Sequence, residues 1–112
     1  MTTYTTNFEI RTITKEELAE KIKKVQPVQI VNVLDPKYYN LGFIKGSKKI
    51  PLDQLDNRWG ELDKNIEVVT YCASYDCPAS RQAAEKLSAK GFKVSAYEGG
   101  IKEWLVAGLP TD

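Results

Sequence analysis

Apolar residues follow two alternating rhythms along this chain. Leu18, Ile22 and Val25 recur at helical spacing behind Thr14-Lys15-Glu16-Glu17. Those four residues form a capping-box pattern, in which the Thr14 hydroxyl caps an early helical N–H and Glu17 reaches back. Pro27 ends the helix. Before it, Phe8, Ile10 and Thr12 alternate with polar residues as a short strand does. After it, residues 28–34 form a β-branched run of the kind buried on both faces of a sheet. Asp35-Pro36 marks a turn or helix start, and Gly42 and Gly46 punctuate the next segment.

A short strand over 48–50 leads to Pro51, suited to the first turn of a helix carrying Leu52, Leu55 and Trp59 on one side. Residues 66–71 make the next buried strand, with Cys72 at its C-terminal end. A helix over 80–90 packs through Ala83, Ala84 and Leu87 and stops at Gly91. Residues 94–97 form another strand, after which Gly99-Gly100 turns into a final helix bearing Ile101, Trp104 and Leu105. Strands alternating with helices predict an α/β domain with a largely parallel sheet.

Composition narrows the functional classes. With 112 residues, 42% of them apolar and 28% charged, the chain is sized and balanced for one globular domain, placed at 7–112 behind a polar, Thr-rich and mobile lead-in at 1–6. Sixteen basic residues oppose fifteen acidic ones, so charge provides no reason to expect nucleic acid or a membrane as partner. No apolar run is long enough to span a bilayer, and the start MTTYTTNFEI lacks the marks of a secretory signal; with only two cysteines, the expected location is cytoplasmic. The absence of histidine removes Ser-His and Cys-His nucleophile pairs. Two cysteines alone cannot complete a tetrahedral zinc site in a monomer, and the thiol chemistry expected of this chain requires neither a metal nor a cofactor.

The chemistry is expected at Cys72. In open parallel sheets ligands bind beyond the carboxyl ends of the strands, and Cys72 stands at such an end, ahead of a loop feeding a helix. That loop can aim several backbone N–H groups inward, favouring thiolate, persulfide or an incoming oxyanion without a general base. A strand-end cysteine is also often a small buried hydrophobe, and position alone does not separate the two readings.

A set of short motifs runs through the chain: Ile13-Thr14 with Glu17-Leu18, "VQIVNV", Tyr39 with "GFIKGS", and "IPLDQL". They continue with "VVTYC", "SRQAAEKLSAKGF" and "YEGGIKEWLVAGLP". In these motifs, over nearly its whole length, the chain resembles the rhodanese family of sulfurtransferases. The resemblance implies a three-layer sandwich with a mostly parallel five-stranded sheet and helices on both faces. It also implies that Cys72 accepts sulfane sulfur as a persulfide and passes it on. The partners would be a small sulfur-donor anion and a thiol or cyanide acceptor, with a protein thiol as a further candidate; oligomeric state stays open.

Several positions depart from the family pattern. Asn32 and Leu34 stand where Asp and Arg are usual, Tyr38 where Glu is usual, and Gly42-Phe43 where Gly-His is usual. Counted back from Ala83-Ala84, Cys72 lies two residues farther upstream than in the common loop, and Ala79 occupies the place of the usual loop arginine. These losses motivate an alternative, a catalytically weak redox-sensing or protein-docking module. A phosphatase of related fold would need an arginine where Pro78 stands.

The loop resembles that of a subgroup with a C-x4-C-x-A-S arrangement. Its expected substrate contacts are the backbone amides of Ala73, Ser74, Tyr75, Asp76, Cys77, Pro78, Ala79 and Ser80. Cys77 either resolves an oxidised or persulfidated Cys72 through a disulfide or packs beneath the loop without reacting. Arg81 either contacts the anion or points to solvent or Glu85. Tyr75 is either a lip of the site or a solvent-facing residue, Asp76 a loop-tip acid, and Trp59 and Trp104 are core aromatics.

Overall fold

Two central strands buried along their whole length set the architecture. A computed structural model describes residues 10–112. The elements run β1 (Arg11–Thr12), α1 (Lys15–Lys23), β2 (Gln29–Asn32), β3 (Lys48–Lys49), α2 (Leu55–Arg58), β4 (Val68–Tyr71), α3 (Ala79–Ala89), β5 (Val94–Tyr97) and α4 (Gly100–Val106). Tighter 3-10 turns cover Pro36–Leu41 and flank α2 at Leu52–Gln54 and Trp59–Glu61. Phe8 and the lead-in assigned to residues 1–6 lie outside the described residues. No helix among the described residues is long and apolar enough to cross a membrane.

The strands form one five-stranded sheet in the order β1-β5-β4-β2-β3, and every neighbouring pair is parallel. Successive strand residues point to opposite faces, so the complete burial of β4 and β5 means that both faces are covered. On β4 and β5 lies α3, whose Ala83, Ala84 and Leu87 are buried. At the β3 edge, Lys48 and Lys49 are exposed, a charged border that discourages pairing with another strand.

The capping box forms: Glu17 N–H donates to Thr14 Oγ1 at 3.1 Å, and Thr14 N–H donates to Glu17 Oε1 at 3.0 Å. Two apolar positions behave differently from the sequence expectation. Val25 lies beyond the last turn of α1, at φ 54° and 86% exposed, because the helix ends at Lys23 before the chain reaches Pro27. Leu105 is half exposed on α4, whose inner face is carried by Gly100, Ile101 and Trp104. The end of the chain is tied down by Trp104 Nε1, which donates to the Pro110 carbonyl at 2.7 Å. An antiparallel bridge joins Ile44 to Thr111.

A buried polar hub joins the two halves of the sheet. The Tyr71 hydroxyl accepts the Ile44 N–H at 3.1 Å and an Asn32 side-chain N–H at 3.3 Å, and lies 2.7 Å from Ser47 Oγ. Ser47 Oγ donates in turn to the Ile44 carbonyl, leaving the Tyr71 hydroxyl to donate to Ser47. Burial pushes the Tyr71 hydroxyl pKa above its ordinary value.

Candidate active site

Parallel strands end at the same edge, so the C-terminal ends of β2, β4 and β5 meet there. Cys72 directly follows β4. A turn closed by Cys77 N–H donating to the Ser74 carbonyl at 3.0 Å brings the loop back over it. Cys72 and Cys77 are joined by a disulfide, with Cα atoms 6.4 Å apart, within the span such bridges need. Cys72 is 1% exposed, while Cys77 is half-buried and borders a groove of about 420 Å³. Of the two, Cys77 is the cysteine that meets the groove, and Cys72 lies in the buried core. The Cys77 carbonyl oxygen lies 3.3 Å from Cys72 Sγ.

Three connections hold this loop on its scaffold. Thr70 Oγ1 donates to the Ser80 carbonyl at 2.7 Å, fixing the first turn of α3 against β4. Ile101 and Lys102, opening α4, donate N–H groups to the Cys72 and Ala73 carbonyls at 3.0 Å each. At the loop tip, Tyr75 donates its hydroxyl to Glu103 Oε2 at 3.1 Å, while Tyr97 donates to Glu103 Oε1 at 2.7 Å. Burial, then the bond to Glu103, drives the Tyr97 hydroxyl pKa far upward.

The expected amide cradle needs correction at two places. Pro78 has no N–H to offer, and the Cys77 N–H is used within the loop by the Ser74 carbonyl. The N–H groups of Ala73, Ser74, Tyr75 and Asp76, and those of Ala79, Ser80 and Arg81 in the first turn of α3, have no acceptor among the described residues. The Ser80 hydroxyl is buried and also without a partner among them. Arg81 pairs with Glu98 at 3.4 Å rather than with Glu85, which directs its charge toward the end of β5.

Tyr75 is 68% exposed and Asp76 is exposed, both at the loop tip. Trp104 is fully buried; Trp59 is half-buried, edge-on to Phe92 at 6.2 Å, with Lys64 and Lys90 over its ring. Sequence reasoning missed the groove's charged lining, Asp35, Asp53, Asp56 and Lys86, and the Glu103 bridge. The available signal was Asp35, placed just past the end of β2, the position at which parallel sheets bind ligands.

A family model for the rhodanese-like domain matches residues 14–107. The chain belongs to the rhodanese-like domain family. It is 32% identical over 100 residues to an HTH-type transcriptional regulator of Mycobacterium tuberculosis, covering 89% of this chain but 44% of that protein. It thus spans less than half of that relative. Over 102 residues it is 29% identical to a sulfurtransferase of Allochromatium vinosum, covering 90% of this chain and 94% of that one. The crystal structure of a rhodanese-related protein from Thermoplasma volcanium superposes with a TM-score of 0.80 at 30% identity, covering 91% of this chain and 97% of the other. In this rhodanese-like domain, the cysteine loop, the first turn of α3 and the start of α4 converge on one end of the sheet.

Proposed function

We propose that this rhodanese-like domain is a sulfurtransferase that carries sulfane sulfur on Cys72. The observation that carries the reading is a cysteine at the end of β4 that opens a loop in which the N–H groups of Ala73, Ser74, Tyr75 and Asp76 lack acceptors among the described residues. The Cys72 thiolate attacks the outer sulfur of a persulfide or thiosulfate donor. The donor's S–S bond breaks, its electron pair leaves with the thiolate or sulfite, and Cys72 becomes a persulfide. An acceptor thiolate or cyanide then takes the outer sulfur and regenerates the Cys72 thiolate. Loop and first-turn amides stabilise the anionic outer sulfur.

Cys77 has a resolving role in this scheme. Its thiolate attacks the inner sulfur of the Cys72 persulfide, hydrosulfide leaves, and the Cys72–Cys77 disulfide results. The site then needs an external thiol before another cycle. Intact mass after treatment of the reduced protein with a persulfide donor tests the assignment. One added sulfur atom is expected on Cys77→Ser and none on Cys72→Ser; sulfur retained by Cys72→Ser overturns it.

The disulfide itself favours a second reading, a redox-responsive module with little turnover. That module would lose two titratable thiols under mild oxidant and show no multiple turnover with any sulfur donor. Sustained turnover by the reduced protein decides against it.

A further inference from the structure

The groove beside Cys77 is lined by three carboxylates, Asp35, Asp53 and Asp56, against one ammonium, Lys86. Lys86 is already engaged by Asp56, with Nζ 3.1 and 3.3 Å from its carboxylate oxygens. Arg81 is turned to Glu98. Asp35 receives the Lys37 N–H at 3.0 Å but no ionic partner among the described residues, and Asp53 likewise has none. Between the carboxylates the wall is apolar, with Leu34 and Leu52. Lys37 Nζ lies 5.2 Å from the ring of Tyr38, which also lines the groove, yet the three carboxylates still outnumber the two ammonium groups of Lys37 and Lys86, so a dianion is disfavoured and a cation is drawn in.

We infer that the groove selects sulfur carriers that bear a positive charge close to the sulfur and disfavours anionic ones, thiosulfate included. The inference rests on the sulfur-transfer reading for its biological use, but its chemistry can be measured on the disulfide alone. Cys77 is the cysteine that lines the groove and Cys72 is 1% exposed, so Cys77 is the side of the disulfide that an incoming thiolate attacks. A bond forms between the incoming sulfur and Cys77, the Cys72–Cys77 bond breaks, and Cys72 leaves as thiolate with the electron pair. A second thiol attacks the mixed disulfide, so two thiols are oxidised to one external disulfide as the protein disulfide is reduced. The cationic thiol can be a small aminothiol or a cysteine flanked by basic residues in a peptide; the shared chemistry is the neighbouring positive charge.

The test uses the disulfide form of the full chain. Its opening rate is measured at low ionic strength with cysteamine, a cysteine peptide flanked by lysines, 2-mercaptoethanol and 3-mercaptopropionate, each corrected for thiolate fraction and intrinsic nucleophilicity. Both cationic thiols should exceed the neutral one, and the anionic one should be slowest, with a spread of at least about five-fold that shrinks in high salt. Whichever cationic thiol is faster identifies the source. Asp53→Lys should narrow the spread and Lys86→Gln widen it. Equal rates for cationic and anionic thiols, or a spread untouched by Asp53→Lys, overturn the inference. Sulfur uptake by reduced Cys72, followed by mass, is a separate readout. Uptake without charge preference removes the selectivity alone, and preference without uptake removes the transfer reading alone.

Discussion

Gly100 sets its bare α-carbon against the backbone of Ala73: a Cβ placed on it would lie 2.5 Å from the Ala73 carbonyl carbon. Its φ of 71° adds a second constraint, since residues with a side chain rarely adopt that conformation. This contact lets α4 reach the Cys72 and Ala73 carbonyls with its first N–H groups.

Gly100→Ala should therefore destabilise the domain by roughly 2–4 kcal/mol, because backbone atoms on both sides must move. Gly108→Ala provides the comparison, since Gly108 shares the positive φ, at 69°, but a Cβ there meets nothing within 4 Å. It should cost only about 1 kcal/mol. Urea denaturation of the two variants measures the difference, and equal losses would show that the close approach to Ala73 has no energetic weight.

Tyr71→Phe keeps the ring but leaves the buried Ile44 N–H and Asn32 amide without their acceptor. A loss of roughly 2 kcal/mol is expected, the usual penalty for orphaning buried donors. Faster hydrogen exchange at the Ile44 amide checks that the damage is local to this hub.

The tether from Tyr75 to Glu103 spans the exposed loop tip. Tyr75→Phe should change global stability by less than about 1 kcal/mol, as exposed contacts usually do. The Cys77 amide, bonded to the Ser74 carbonyl, should nevertheless exchange faster, and unchanged exchange there would mean that the disulfide and the α4 contacts hold the loop unaided.

Alkaline pH should weaken the fold through two buried tyrosines. Tyr97 and Tyr71 have pKa values raised above the ordinary 10.0, in both cases chiefly by burial. A raised folded-state value means that the native state holds its protons more tightly. This stabilisation is complete below the unfolded-state value near 10 and is lost as pH rises from there toward the folded-state values. The slope is at most about 1.4 kcal/mol per pH unit for each tyrosine. Urea midpoints across this range should fall with pH, and Tyr97→Phe should make the fall shallower.

The linear order of residues was enough for the α/β architecture, because each strand and helix carries its own local cause. The β-branched runs that become β2 and β4 are dense enough to bury both sheet faces, and Thr14 with Glu17 caps α1 within one turn. Ala83, Ala84 and Leu87 likewise announce the packing face of α3 by spacing alone. Local rules overreached at Val25 and Leu105, where helical periodicity continues past the point at which the partner surface ends. The position of Cys72 at a strand end was equally visible. Which cysteine lines the groove was not: that depends on the turn that brings Cys77 back to Cys72. Nor could spacing show that Asp35, Asp53, Asp56 and Lys86, drawn from three separate stretches of chain, would share one wall with Cys77. Side chains far apart along the backbone acquire a common electrostatic field only when parallel strands bring their ends to one edge, and that convergence belongs to the tertiary structure.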